Sequence, residues 1–150
     1  YSTRFEKYGK APLPVYKRLP EPPEGKYRLL MGRNGYFTHA ALQTNRWLLH
    51  LYPENRVWIH PEVAARVGVR DGDMVELTSP VGKGTLKAYV TEAIRKDSVY
   101  LDHGFGHTSG GLEAAIGRGM SDQVLIEDVS DEISGGVCYH ETFITVRPAT

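Results

Sequence analysis

Two glycine-flanked loops carry the side chains best suited to hold an anion. The first is Gly32-Arg33-Asn34-Gly35-Tyr36-Phe37-Thr38-His39, followed by Gln43-Thr44-Asn45. An arginine, a hydroxyl, amides and backbone N–H groups beside glycine are the donors a phosphate or nucleotide needs. The second is Asp102-His103-Gly104-Phe105-Gly106-His107. Both follow predicted strands and can share one end of a barrel. On residue types alone the ordinary reading of each is a solvated turn, and the ligand reading competes with it.

The six histidines, His39, His50, His60, His103, His107 and His140, raise the question of a metal. His103 and His107 are spaced i, i+4, but the glycines between them argue against the helix that would put both on one face. A two-histidine, one-carboxylate centre stays open as the metal-enzyme alternative; hydrogen bonding or capping is the plainer role. His60 stands where a helix N-cap would be. Cys138 reads as a small buried apolar residue at the start of the last strand. No HExxH, GxSxG, P-loop or GxGxxG pattern occurs.

The elements that must position these loops are short. The spacing predicts strands at Tyr27–Met31, Arg56–Ile59, Met74–Thr78, Thr85–Thr91, Ser98–Leu101, Val124–Ile126 and Tyr139–Val146. A partial helical face spans Ala40–Leu51 and ends at Pro53. A second helix opens at Pro61-Glu62, where proline wastes no hydrogen bond and the acid suits the positive end. Gly68 closes it. Residues 104–119 hold six glycines and read as an irregular loop with one helical turn at Leu112–Ile116. Short strands, regular turn signals and small helices predict a mainly β fold, a closed or nearly closed barrel. No internal repeat of fixed period is visible.

Composition sets the outer bounds. The 150 residues are 41% hydrophobic and 24% charged, as in an ordinary globular domain. Eighteen basic side chains balance eighteen acidic ones, which argues against nucleic acid as a partner, because the counterion-release term is weak. No apolar run approaches the roughly 20 residues of a membrane span, so direct membrane insertion is not expected. A single cysteine excludes an internal disulfide and any zinc site with two thiolates. Five of the nine prolines, Pro12, Pro14, Pro20, Pro22 and Pro23, fall within residues 1–25. That stretch reads as an extended arm or interdomain connector, and residues 26–150 as the barrel domain. The start at Tyr1 is the one expected of a segment of a longer protein.

The run Val57-Trp58-Ile59-His60-Pro61-Glu62, then Ala64, Gly68-Val69, Asp71-Gly72-Asp73 and Val75, resembles the C-terminal dinucleotide-binding domain of the molybdopterin oxidoreductases, the dimethyl sulfoxide reductase superfamily. The resemblance continues through Ser79 and Gly82, Val90-Thr91 and Ile94, His103-Gly104-Phe105-Gly106, and Ile133-Ser134-Gly135. It includes Gly32-Arg33 with Thr38 upstream and covers about residues 26–147. In its two loops the chain is most similar to the thiosulfate and polysulfide reductase branch.

The resemblance implies a double-psi β-barrel that binds molybdopterin guanine dinucleotide carrying molybdenum, or tungsten. It implies cofactor contacts from Arg33, Thr38, His39, Gln43 and Asn45 on the first loop, from His103, Gly104 and Phe105 on the second, and from Asp122 beyond. The parent would be an oxidoreductase acting on polysulfide, thiosulfate or a related sulfur compound in anaerobic respiration. The metal ligand and an iron–sulfur cluster would belong to its other domains, so this segment alone would be inactive. An iron–sulfur electron-transfer subunit and a membrane-anchor subunit are the implied partners. The implied location is the periplasm or the outer face of the cytoplasmic membrane. Two departures stand out: the first loop is about one residue long between Thr38 and Gln43, and Asp131-Glu132 replaces the family's Asp-Pro. The competing readings are a stand-alone double-psi barrel serving as a protein-interaction module, or a small barrel enzyme.

Overall fold

A computed structural model describes residues 1–149. Among the described residues three α-helices and six strands follow one another: α1 (Thr3–Lys7), β1 (Tyr27–Gly32), α2 (Arg46–Leu51), β2 (Val57–Ile59), α3 (Pro61–Val67), β3 (Met74–Thr78), β4 (Lys83–Val90), β5 (Ser98–Asp102) and β6 (Phe143–Pro148). The strands close into one barrel in the order β1-β5-β2-β4-β3-β6. Closure leaves no unpaired edge, which suits strands as short as these.

The pairing has a hidden symmetry. β1–β5 and β2–β4 are parallel, and the remaining neighbours are antiparallel. Exchanging β1 with β4, β2 with β5 and β3 with β6 leaves every neighbour pair, and its parallel or antiparallel sense, unchanged. Two three-stranded halves are thus interlocked about a pseudo-twofold axis, the arrangement of a double-psi β-barrel. The axis passes beside the single β2–β5 pair, Trp58 opposite Tyr100.

The inward positions of every strand fill the barrel. Leu29, Val57, Ile59, Val75, Leu77, Ala88, Val99, Leu101 and Ile144 are fully buried. α3 plugs the barrel with Val63 and Ala64. His60 caps this helix: its Nδ1 accepts the Glu62 N–H at 3.2 Å. Gly68 ends it at φ +75, a left-handed conformation that glycine adopts without the Cβ penalty.

Four local expectations are corrected. The helix expected from Ala40 shrinks to Arg46–Leu51, because His39 and Leu42 take positive φ and residues 39–44 run as turns. Val124–Ile126 is no strand: Asp122–Val124 forms a 3-10 turn that drives Leu125 into the core. The last strand begins at Phe143 instead of Tyr139. Cys138 therefore lies before it, half-buried in a loop, its Sγ 3.9 Å from the Gly136 carbonyl. The arm also contains one helix, α1, set before its first proline. The arm returns to the barrel through the Lys10–Glu132 ion pair and through Arg28, which donates to the Pro20 carbonyl.

Candidate functional site

Parallel pairing brings the two loops together. β1 and β5 run in register from Arg28 opposite Ser98 to Gly32 opposite Asp102. Both strands end on the same side, so Arg33 and His103 leave the barrel next to each other. The His103 N–H extends the ladder by one bond, to the Gly32 carbonyl at 2.9 Å. A cleft beyond the carboxyl ends of adjacent parallel strands is a recurrent ligand position.

A cavity of about 310 Å³ opens there. Four of the anticipated residues line it: Arg33, His39, His103 and Asp122. Asp122 is 2% exposed, placed by the 3-10 turn, and its carboxylate accepts from His103 Nδ1 at 2.9 and 3.0 Å. The imidazole is thereby fixed, and Nε2 is the nitrogen left for the cavity. The His39 ring meets that of His103 edge-on at 5.5 Å. Gly104 makes this approach possible. A Cβ on it would stand 2.3 Å from the His39 carbonyl oxygen, and its φ is +99.

The other anticipated residues lie outside the cavity lining. Phe105 is buried in a small second core, edge-on to Phe37 at 5.6 Å and packed with Leu49. It holds the loop from beneath. Asn45 caps α2, its Oδ1 accepting from the Trp47 and Leu48 N–H groups at 3.0 and 3.3 Å. Thr38 is exposed on the preceding turn. Gln43 is 2% exposed, yet neither Oε1 nor Nε2 finds a partner among the described residues.

Met31, Gln123, Tyr139 and His140 also line the cavity; of these only His140 stands out in the sequence, as one of six histidines and not as a cofactor contact. The β1–β6 register could have found His140. Tyr27 pairs with Ile144 and Arg28 with Phe143, so counting on places His140 opposite Met31. Among the described residues no group of three or more His, Cys, Asp or Glu could hold a metal ion. Among the described residues no helix is long and apolar enough to cross a membrane.

The donor set fits an anionic, hydrogen-bonding ligand. Arg33 supplies a permanent positive charge, three imidazoles surround the same space, and the one carboxylate is engaged by His103. The unpartnered amide of Gln43 adds a buried donor and acceptor in the same loop. At 310 Å³ the cavity suits part of a dinucleotide, one ring system or phosphate group, with the remainder lying beyond it.

Comparison with known proteins agrees with this chemistry. The family model described as molydopterin dinucleotide binding domain matches residues 27–143. The thiosulfate reductase molybdopterin-containing subunit PhsA of Salmonella typhimurium is 33% identical over 126 residues, 84% of this chain and 16% of that protein. The arsenate respiratory reductase molybdopterin-containing subunit ArrA of Chrysiogenes arsenatis is 30% identical over 100 residues, 63% of this chain and 12% of that protein. Among solved structures, acetylene hydratase from Pelobacter acetylenicus superposes with a TM-score of 0.84 over 99% of this chain and 23% of its own, at 20% identity. The chain thus spans less than a fifth of the curated relatives just described.

Proposed function

The chain belongs to the molydopterin dinucleotide binding domain family, and from that premise we propose that it is the cofactor-clasping segment of a larger molybdenum oxidoreductase that reduces thiosulfate, polysulfide or a related sulfur compound. The observation that carries the reading is the convergence of Arg33 with the His103–Asp122 pair beyond the parallel strands β1 and β5. The sulfur assignment is supported by the similarity to a thiosulfate reductase subunit, which extends over more of the chain than the similarity to the arsenate enzyme.

The bound group, molybdopterin guanine dinucleotide with molybdenum or tungsten, supplies the redox chemistry. The chain's own residues bind and orient it. Arg33 pairs with an anionic oxygen through its planar guanidinium fork. His103, locked by Asp122, offers Nε2 in one fixed direction. Gly104 keeps the two loops in contact, which holds the anion-binding groups together and lowers the ordering cost of binding. Thiolate ligands for an iron–sulfur cluster would come from other segments, since the chain has one cysteine. In this reading the parent enzyme works with an iron–sulfur electron-transfer subunit and a membrane anchor, outside the cytoplasm.

The test is Arg33→Ala in the full-length parent enzyme, purified from cells that make the cofactor. Molybdenum per chain is expected to fall at least about tenfold under dilution, the loss of one charge-assisted contact. Full metal occupancy in that variant would remove Arg33 from the site. A wild-type enzyme containing neither molybdenum nor tungsten would sink the reading altogether.

A further inference from the structure

The loop before β6 brings a histidine into the cavity and fixes it from two sides. The His140 ring accepts the Met31 N–H at Nδ1, 3.2 Å away. A nitrogen that accepts an N–H carries no proton itself, so the proton of the neutral ring sits on Nε2. Backbone contacts hold the same residue. Arg28 Nη1 donates to the His140 carbonyl at 2.7 Å and to the Glu141 carboxylate at 2.9 Å, while Nη2 donates to the Pro20 carbonyl. The Arg28 guanidinium also lies over the Phe143 ring, 4.9 Å from its centre, so its own position is fixed. Three segments distant in sequence, the arm, β1 and the β6 approach, are tied at one cation. This histidine lines the cavity that also holds Arg33 and His103.

We propose that His140 is a further ligand-contact residue, presenting Nε2–H as an oriented donor to an acceptor oxygen of the anionic cofactor, and that Arg28 is its positioning residue. The proposal rests on the cofactor reading above. A preset donor costs little ordering on binding, and a neutral imidazole N–H to an anionic oxygen is a charge-assisted bond.

The test compares wild type, His140→Ala, His140→Gln and Arg28→Met in the full-length parent enzyme. The readout is the rate at which molybdenum and the pterin fluorophore leave the protein on dilution, independent of turnover. His140→Ala is expected to release both about tenfold faster. His140→Gln keeps an N–H at a similar reach and is expected to recover part of that loss. Arg28→Met is expected to speed release in the wild-type background and to add nothing in the His140→Ala background, since its effect runs through His140. Release from His140→Ala at the wild-type rate would overturn the proposal while leaving the cofactor reading intact. Equal losses in the Ala and Gln variants would reduce His140 to packing and overturn the donor role. Additive losses from Arg28→Met would overturn the positioning role. A wild-type enzyme without the cofactor would overturn the underlying reading instead, which separates the two failures. If His140→Ala does not fold, His140→Gln against wild type still decides, because retention below the wild-type level is required of it and unchanged retention overturns the proposal.

Discussion

Asp102 is the residue on which the second loop turns, and it is a carboxylate buried to 3% exposure with no cation paired to it among the described residues. Two phenols take the place of a cation. Tyr100 Oη donates to Oδ1 at 2.8 Å, and Tyr52 Oη donates to Oδ2. Burial, then the hydrogen bond to Asp102, then its negative charge push both phenols well above their usual range. In the unfolded chain these tyrosines release protons near pH 10. In the folded chain they keep them, so their contribution to stability is complete below about pH 10 and is lost as pH rises through the folded values. Tyr52→Phe is expected to destabilise the protein by about 1–3 kcal/mol at neutral pH, the cost of leaving a buried acceptor short of a partner. It should also flatten the alkaline decline. Urea titrations at pH 7 and pH 10.5 would check both, and an unchanged midpoint at pH 7 would show that Tyr52 does not hold Asp102.

At the scale of elements, α2 separates two roles for one residue. Asn45 sits where the family resemblance puts a cofactor contact, and its side chain is spent on the helix N-terminus. Aspartate caps as well as asparagine, whereas alanine loses about 1 kcal/mol. Asn45→Asp is therefore expected to keep thermal stability within a few tenths of a kcal/mol and Asn45→Ala to lower it. A cofactor contact made through the amide N–H₂ would break that ranking, with Asp damaging retention as much as Ala. Other elements show what was legible beforehand. β3 was expected at Met74–Thr78 and is found there, because strict alternation has one reading. His60 was expected at a cap and caps α3, because proline at the first helical position marks the start unambiguously. Val124-Leu125-Ile126 looked like a strand and is not one, since a short apolar run reads alike as a strand or as a turn that buries one leucine. Residues 39–44 could not be read, because nothing in a leucine announces φ +68. The site was partly legible for the same reason. Arg33 and His103 follow strands whose ends could be seen, whereas His140 needs the β1–β6 register, a long-range fact that no local pattern carries.

At the scale of the whole molecule, the interlocked halves make the barrel a single cooperative unit. Neither half owns a closed sheet: β1 needs β5 and β6 of the other half, and β4 needs β2 and β3. No three-stranded half can unfold without stripping the partners from the other. Trp58 is a natural reporter of this, since it stands beside the pseudo-twofold axis between Tyr100 and Tyr89, 5.0 and 5.5 Å from their rings. The only other tryptophan, Trp47, is 85% exposed on α2 and can be replaced by Phe without touching the core. In that background, Trp58 fluorescence and far-ultraviolet circular dichroism are expected to report one coincident denaturation curve. Leu101→Ala removes a fully buried side chain from β5, next to the second loop. It should lower stability by about 2–5 kcal/mol, and both probes should shift by the same amount. Fluorescence changing before the dichroism would mean that the axis opens while the outer strands persist. The halves would then be separable units, and the cavity between β1 and β5, built from one strand of each half, would open at a lower cost than the barrel as a whole.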